Sequence, residues 1–488
     1  MKTMFKLPQL CGMVLLLLSC TTDVIPPQAE PQKVAVAPEI PPASPIITPA
    51  PILDGVARMY QAFALTGQTS VSPKADFIMP VPSQKADLST LKTAGNTGEL
   101  NYIAIGGSLT AGYRDQGLTR KSQMTAYPNL IAHQMGLVNF KSPLFDITEA
   151  NGSGGLVFDG TADMPSWKQI TNQTALKSNA PMTLSKYTGG DFQNIGIPFS
   201  GKGLIGTPIT TEYQNLKPYS FIERLIKTSD IVPSKFVSGV NIMPSLYDYM
   251  LKKQKIDIYT VEYGLDNYID YIMTQRNLNF EGFMLGSYDI SFDTKGNTIG
   301  KPVWLLMPSQ ILRFPYFQFF TYDKLSNLLG IDEIMIGSGN DNYTEKADKN
   351  CVFLPTKRIL DAIKNKTPLG IVPDVEVMDA LECQAARRSK GLYVYNGIIE
   401  NAAKQKNIPL VDLPAVYEKV LNGQYVSEDG FRIDPSFPKG NFFSQDGIYP
   451  SAIGQAVIAN EVIKVMNKSY NTNIPLINLT EYARNLSR

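Results

Sequence analysis

The stretch that most constrains this chain is Tyr102 to Tyr113, YIAIGGSLTAGY. Tyr102, Ile103, Ala104 and Ile105 make a short apolar run of the kind buried in a sheet. The run stops at Gly106-Gly107, where backbone freedom allows a tight turn. Ser108 follows the turn, and an amphipathic helical segment comes soon after, over Ala126 to Met135. A serine at such a handover sits where open α/β sheets collect reactive groups, beyond the carboxyl ends of their strands. Further strand-like runs at Asn194 to Ile197, Ile256 to Glu262, Val303 to Met307 and Pro409 to Asp412 alternate with helical segments, notably Tyr395 to Gln405 and Ala452 to Met466. Strands alternating with helices predict a parallel sheet covered on both faces.

The N-terminus reads as a targeting signal. Residues 1–19 carry Lys2 and Lys6, an apolar run from Met13 to Leu18, and then Leu17-Leu18-Ser19-Cys20, which resembles a lipobox. The apolar run is too short to span a bilayer. Cys20 is then the lipid-bearing first residue, tethered by acyl chains worth about 0.8 kcal/mol per buried CH₂. Thr21, Thr22 and Asp23 include one acid only, so a periplasmic and an outward-facing anchor in the outer membrane both stay open. The rest of 20–53 is rich in Pro and Ala, a composition that favours extended polyproline II and serves as a semi-rigid spacer. Residues 54–99 form a lead-in without a motif, and 100–488 form the main domain.

At 43% hydrophobic residues in 488, the chain buries a large core. Its formal net charge is +1, falling to −1 once Lys2 and Lys6 leave with the signal peptide. That balance gives no electrostatic case for nucleic acid or an anionic membrane surface as a partner.

The chain resembles the SGNH (GDSL-type) hydrolases, in particular lipoprotein members found in Bacteroidota. The resemblance spans about Leu100 to Tyr482. It rests on IGGSLTAG at Ile105 to Gly112, NIGIP at Asn194 to Pro198, YGLDN at Tyr263 to Asn267, MPSQILRFPYF at Met307 to Phe317, and SQDGIYPSAIGQAVIAN at Ser444 to Asn460. It implies a flavodoxin-like parallel sheet flanked by helices, with long insertions, and acyl transfer from Ser108 with its own N–H as one oxyanion donor. The family needs no cofactor or metal.

The resemblance also exposes what has changed. Acyl transfer from a serine needs a base, a group to orient that base, and donors aimed at the developing oxyanion. Asp446 fills the place of the orienting acid, but three residues on, where the family has its histidine, stands Tyr449. A phenol with an unperturbed pKa of about 10 donates hydrogen bonds near neutrality and accepts protons poorly. The family's donor glycine falls at Phe199, with Gly201 close by, and its asparagine donor falls at Asp266, with Asn267 one step out of register. An ionised Asp266 repels an oxyanion. His133, the only histidine, lies on a helix with nothing to place it near Ser108. Loss of a triad histidine costs on the order of a million-fold in rate, and loss of one oxyanion donor about 10²–10³. Ser108 and Asp446 then persist as a turn serine and a helix-capping acid.

Residues 331–390 depart most from the family and read as an inserted subdomain holding Cys351 and Cys383. Outside the cytoplasm two such cysteines pair, stabilising the fold by about 3–4 kcal/mol. They supply too few ligands for zinc. The aromatic run Phe314, Tyr316, Phe317, Phe319, Phe320 and Tyr322 suits a core or lid more than a sugar-stacking surface. The leading expectation is a catalytically impaired lipoprotein, acting as a binding or scaffold subunit of an outer-membrane protein complex for transport, secretion or assembly. The alternatives are a carbohydrate or lipid esterase using Ser108, and a glycan-binding surface lipoprotein using the aromatic run.

Overall fold

In the computed structural model the described residues are 62–73, 76–93, 95–179, 182–199, 217–226, 255–262, 264–266, 300–338, 343–373 and 389–486, with short pieces at 209–210, 232–233, 241–243, 269 and 377–378. The signal segment, Cys20 and the Pro-rich spacer lie outside them, as do Gly201, Asn267 and Cys383.

Five parallel strands make the central sheet: β1 (Tyr102–Gly106), β2 (Asn194–Gly196), β3 (Ile258–Glu262), β4 (Lys301–Leu305) and β5 (Leu410–Val411), in the order β5-β4-β3-β1-β2. Ile103, Ala104, Ile105, Val303 and Leu305 are fully buried, as strands covered on both faces require. Helices flank the sheet: α1 (Ser108–Ala111), α2 (Tyr127–Gln134), α3 (Ser389–Lys406), α4 (Leu413–Leu421) and α5 (Ala452–Tyr470). The fold is therefore mixed α/β, with strand order 2-1-3-4-5.

That order reverses direction at β1, so the connections leaving β1 and β3 part company and leave a crevice at their carboxyl ends. Register places the crevice: Gly106 is opposite Glu262 on one side and Gly196 on the other. α5 closes over the first turn through one side chain. Gln455, fully buried, accepts the Tyr127 N–H at 2.9 Å and donates to the Leu109 carbonyl at 3.1 Å, satisfying two helix-end groups that α1 and α2 leave open.

The segment read as a lead-in is part of the domain from Ala62 on. Leu65–Thr69 pairs in parallel with Trp167–Ile170, and Phe63 packs edge-on to Trp167 at 4.9 Å and against Tyr316 at 4.7 Å. Asp257, buried at the start of β3, accepts from the Thr93 N–H at 2.8 Å, the Thr93 hydroxyl at 2.6 Å, the Asn101 N–H at 2.9 Å and the Asn96 amide. No boundary falls at Leu100. Pairing with a strand a hundred residues away leaves no local signature in LTGQT, whose residues are mostly exposed.

Residues 331–390 contribute strands to two small sheets. Met335–Ser338 pairs with Tyr343–Lys346 and Val372–Pro373, while Val352–Phe353 lies between Phe320–Thr321 and Val377–Met378. Cys351 is buried and disulfide-bonded. Phe314, Tyr316, Phe317, Phe319, Phe320 and Tyr322 are all buried, so the aromatic run is core and offers no sugar-stacking face.

Candidate functional site

Ser108 opens α1 at the carboxyl end of β1, fully buried. Of the two glycines before it, Gly106 is needed for space. Neither adopts a left-handed φ, but a Cβ on Gly106 would lie 2.1 Å from Thr110 Oγ1 and 2.6 Å from the Glu262 carbonyl oxygen.

Around Ser108 the structure gathers three of the residues singled out in the sequence: Phe199, Asp266 and Tyr449. Asp266 follows β3 by way of Gly264, at φ 109°. Its Oδ2 accepts the Ser108 N–H at 2.7 Å and the Phe199 N–H at 2.8 Å, and its Oδ1 accepts the Tyr449 hydroxyl at 2.9 Å. Two amides from different strand ends thus converge on one point, and a carboxyl oxygen of the chain itself occupies it. Phe199 holds φ 60°, the left-handed region glycine favours. A phenylalanine in this conformation still supplies an amide donor to the site. The strained backbone is retained under its ring, which packs edge-on to Tyr113 at 5.0 Å.

Tyr449 is fully buried, and Tyr113 lies edge-on to it at 5.3 Å. Burial and the Asp266 carboxyl hold its hydroxyl well above the usual phenol range, so it acts as a donor and not as a base. Burial pushes the Asp266 carboxyl up as well, against the donors that pull it down. The amides can only donate, which fixes Oδ2 as an acceptor. Ser108 Oγ is close enough to influence Asp266 and Tyr449, yet among the described residues no partner meets it in hydrogen-bond geometry.

Asp446 does something else. It does not cap α5, a task taken by Ser451, whose Oγ accepts the N–H groups of Ile453 and Gly454 at 3.2 Å each. Asp446 Oδ1 instead accepts the Ile448 N–H at 2.8 Å, the Tyr449 N–H at 3.0 Å and the Ser444 hydroxyl at 2.8 Å. Its Oδ2 accepts the Gln116 N–H at 3.0 Å and the Gln116 side-chain amide at 3.3 Å. It locks the 444–449 loop onto the turn at Asp115-Gln116, where both residues have positive φ. Burial and the neighbouring Asp446 raise the Asp115 carboxyl to about 6. His133 is occupied elsewhere, its Nε2 donating to the Pro80 carbonyl at 2.8 Å.

The chain matches no family model, no curated protein and no solved structure. Among the described residues, no group of three or more His, Cys, Asp or Glu is placed to hold a metal ion.

One residue escaped the sequence reading. Glu262, the last residue of β3, turns its Oε2 to the Gly107 N–H and the Thr110 hydroxyl, both at 3.2 Å. Burial, followed by the charge of Asp266, pushes it up to about 8. A charged residue closing an otherwise apolar strand, IYTVE, is the available signal. Two acids from the end of β3 thus face the same turn, one on each of two consecutive amides. The arrangement suits a held carboxyl group.

Proposed function

We propose that the chain is a lipid-anchored, SGNH-like envelope protein whose hydrolytic site is silent, and that it works as a binding or scaffold subunit of an outer-membrane protein complex. One observation carries the silent-site reading. The carboxyl of Asp266 sits on the two amides that an oxyanion needs, and the residue beside it in the base position is a buried tyrosine. Electrostatic stabilisation of the transition state depends on those donors being free when charge develops. The lipobox-like Cys20 and the Pro-rich spacer support an anchored protein held away from its membrane.

A fluorophosphonate and a short-chain nitrophenyl ester test the silent site on the full chain. The expected result is no labelling and no hydrolysis beyond that of Ser108→Ala. Ser108-dependent labelling would overturn it and favour the esterase reading, which draws on the unpartnered Ser108 Oγ. Isolation of the native protein under mild detergent tests the scaffold role. Co-purification with an outer-membrane protein is expected, and recovery as a lone monomer counts against it.

A further inference from the structure

The donors around Asp266 have the form of a binding site whose ligand is covalently part of the chain. Three hydrogens meet one carboxyl group from three separate directions: the Ser108 N–H from the end of β1, the Phe199 N–H from the end of β2, and the Tyr449 hydroxyl from the loop before α5. The Ser108 and Tyr449 donors sit on backbone fixed by other contacts, and the Phe199 ring packs edge-on to Tyr113. α1 is tied to α5 through Gln455, and the 444–449 loop is held by Asp446. Asp266 itself is 3% exposed, and Ser108 Oγ, fully buried, faces the same space without an oriented partner. The Ser108 and Tyr449 donors therefore do not depend on Asp266 for their placement, whereas a buried amide left without an acceptor is costly.

We propose that the Ser108, Phe199 and Tyr449 donors form a preorganised site for a small carboxylate, which Asp266 fills as an internal ligand and so closes to ligands from outside. The inference builds on the reading of a silent site and adds what keeps it silent. Truncation at residue 266 vacates room for a one-carbon carboxylate while leaving all three donors in place. Formate has the matching pair of oxygens, and benzoate is too large for the space.

The test is thermal unfolding of the full chain and of Asp266→Ala at pH 7, in sodium formate, sodium benzoate or sodium chloride at equal ionic strength. Asp266→Ala is expected to melt lower than the parent and to regain about 2 °C in formate at ten times the half-saturating concentration. Benzoate and chloride give no such shift, and the parent does not respond to formate. Adding Tyr449→Phe raises the half-saturating formate concentration about tenfold, through loss of one donor to a charged acceptor. If Asp266→Ala does not fold in chloride, formate is expected to restore recovery of folded protein on refolding. Absence of a formate-specific response in the variant, or an equal response in the parent, overturns the proposal. Ser108-dependent labelling of the parent ends the silent-site reading but leaves the formate response of Asp266→Ala unchanged, so the two failures are distinguishable.

Discussion

Glu262→Gln is expected to make the protein more stable at pH 8.5 than the parent, and close to the parent at pH 5. Glu262 is 3% exposed at the end of β3, and its carboxyl is raised from 4.5 to about 8, first by burial and then by Asp266. Its other neighbours offer little relief for a charge. The Gly107 N–H and Thr110 hydroxyl reach it only at 3.2 Å, and the Tyr127 and Tyr417 rings that feel its charge are both buried. The folded protein therefore keeps a proton that the unfolded chain releases between pH 4.5 and about 8. Where the native state binds more protons, stability falls as pH rises. The fall across this window is on the order of 4 kcal/mol, and a neutral amide removes it. Asp115, raised to about 6, contributes in the same direction but finishes earlier, so the difference between parent and variant above pH 7 isolates Glu262. Urea midpoints at pH 5, 7 and 8.5 measure it. Equal midpoints for the parent at pH 5 and 8.5 would show that Glu262 is not protonated in the fold.

The same comparison bears on which acid the site holds as an anion. Asp266 receives three donors at 2.7, 2.8 and 2.9 Å, against the two longer contacts of Glu262. Hydrogen bonds to the charged form favour it, so of the two acids Asp266 ionises first. Glu262 keeping its proton at neutral pH is what lets two buried carboxyls share one end of a strand.

The sheet was legible in the sequence because its strands are short, largely apolar and buried on both faces, and β1 and β2 end at a glycine and β3 at a charged residue. Gly106, Ser108 and the alternation of strands with helices placed the crevice. What hid was everything set by distance along the chain. Phe63 and Leu65–Thr69 join the domain through partners a hundred or more residues away. The site was legible as a set of positions and not as an arrangement. Phe199 and Asp266 each read as a lost donor, but an amide does not depend on its side chain, and the structure joins the two through one oxygen. Asp446 read as a helix cap, although Ser451 was nearer to α5 and took that place. Nothing local distinguishes a carboxyl that orients a neighbour from one that folds its own loop.

Tyr449→His alone is expected to leave the protein without measurable esterase activity, whereas Tyr449→His combined with Asp266→Ala raises Ser108-dependent hydrolysis at least about 10²-fold over the single variant. A histidine at 449 supplies an imidazole whose unperturbed pKa of about 6.5 suits proton transfer near neutrality. The Tyr449 N–H already lies on Asp446 Oδ1, so the acid stands at the backbone of the residue that carries the new ring. That repair leaves Asp266 Oδ2 on the Ser108 and Phe199 amides, where it both occupies the donors and opposes developing negative charge. With the carboxyl removed, two amides from rigid strand ends point into an empty space next to Ser108 Oγ. An oxyanion donor is worth about 10²–10³ in rate, which sets the expected gain. Rates on a nitrophenyl ester, with each variant also carrying Ser108→Ala as its control, read the result. Activity in Tyr449→His equal to that of the double variant would mean that Asp266 leaves the amides when substrate arrives, so that the missing base alone keeps the site silent.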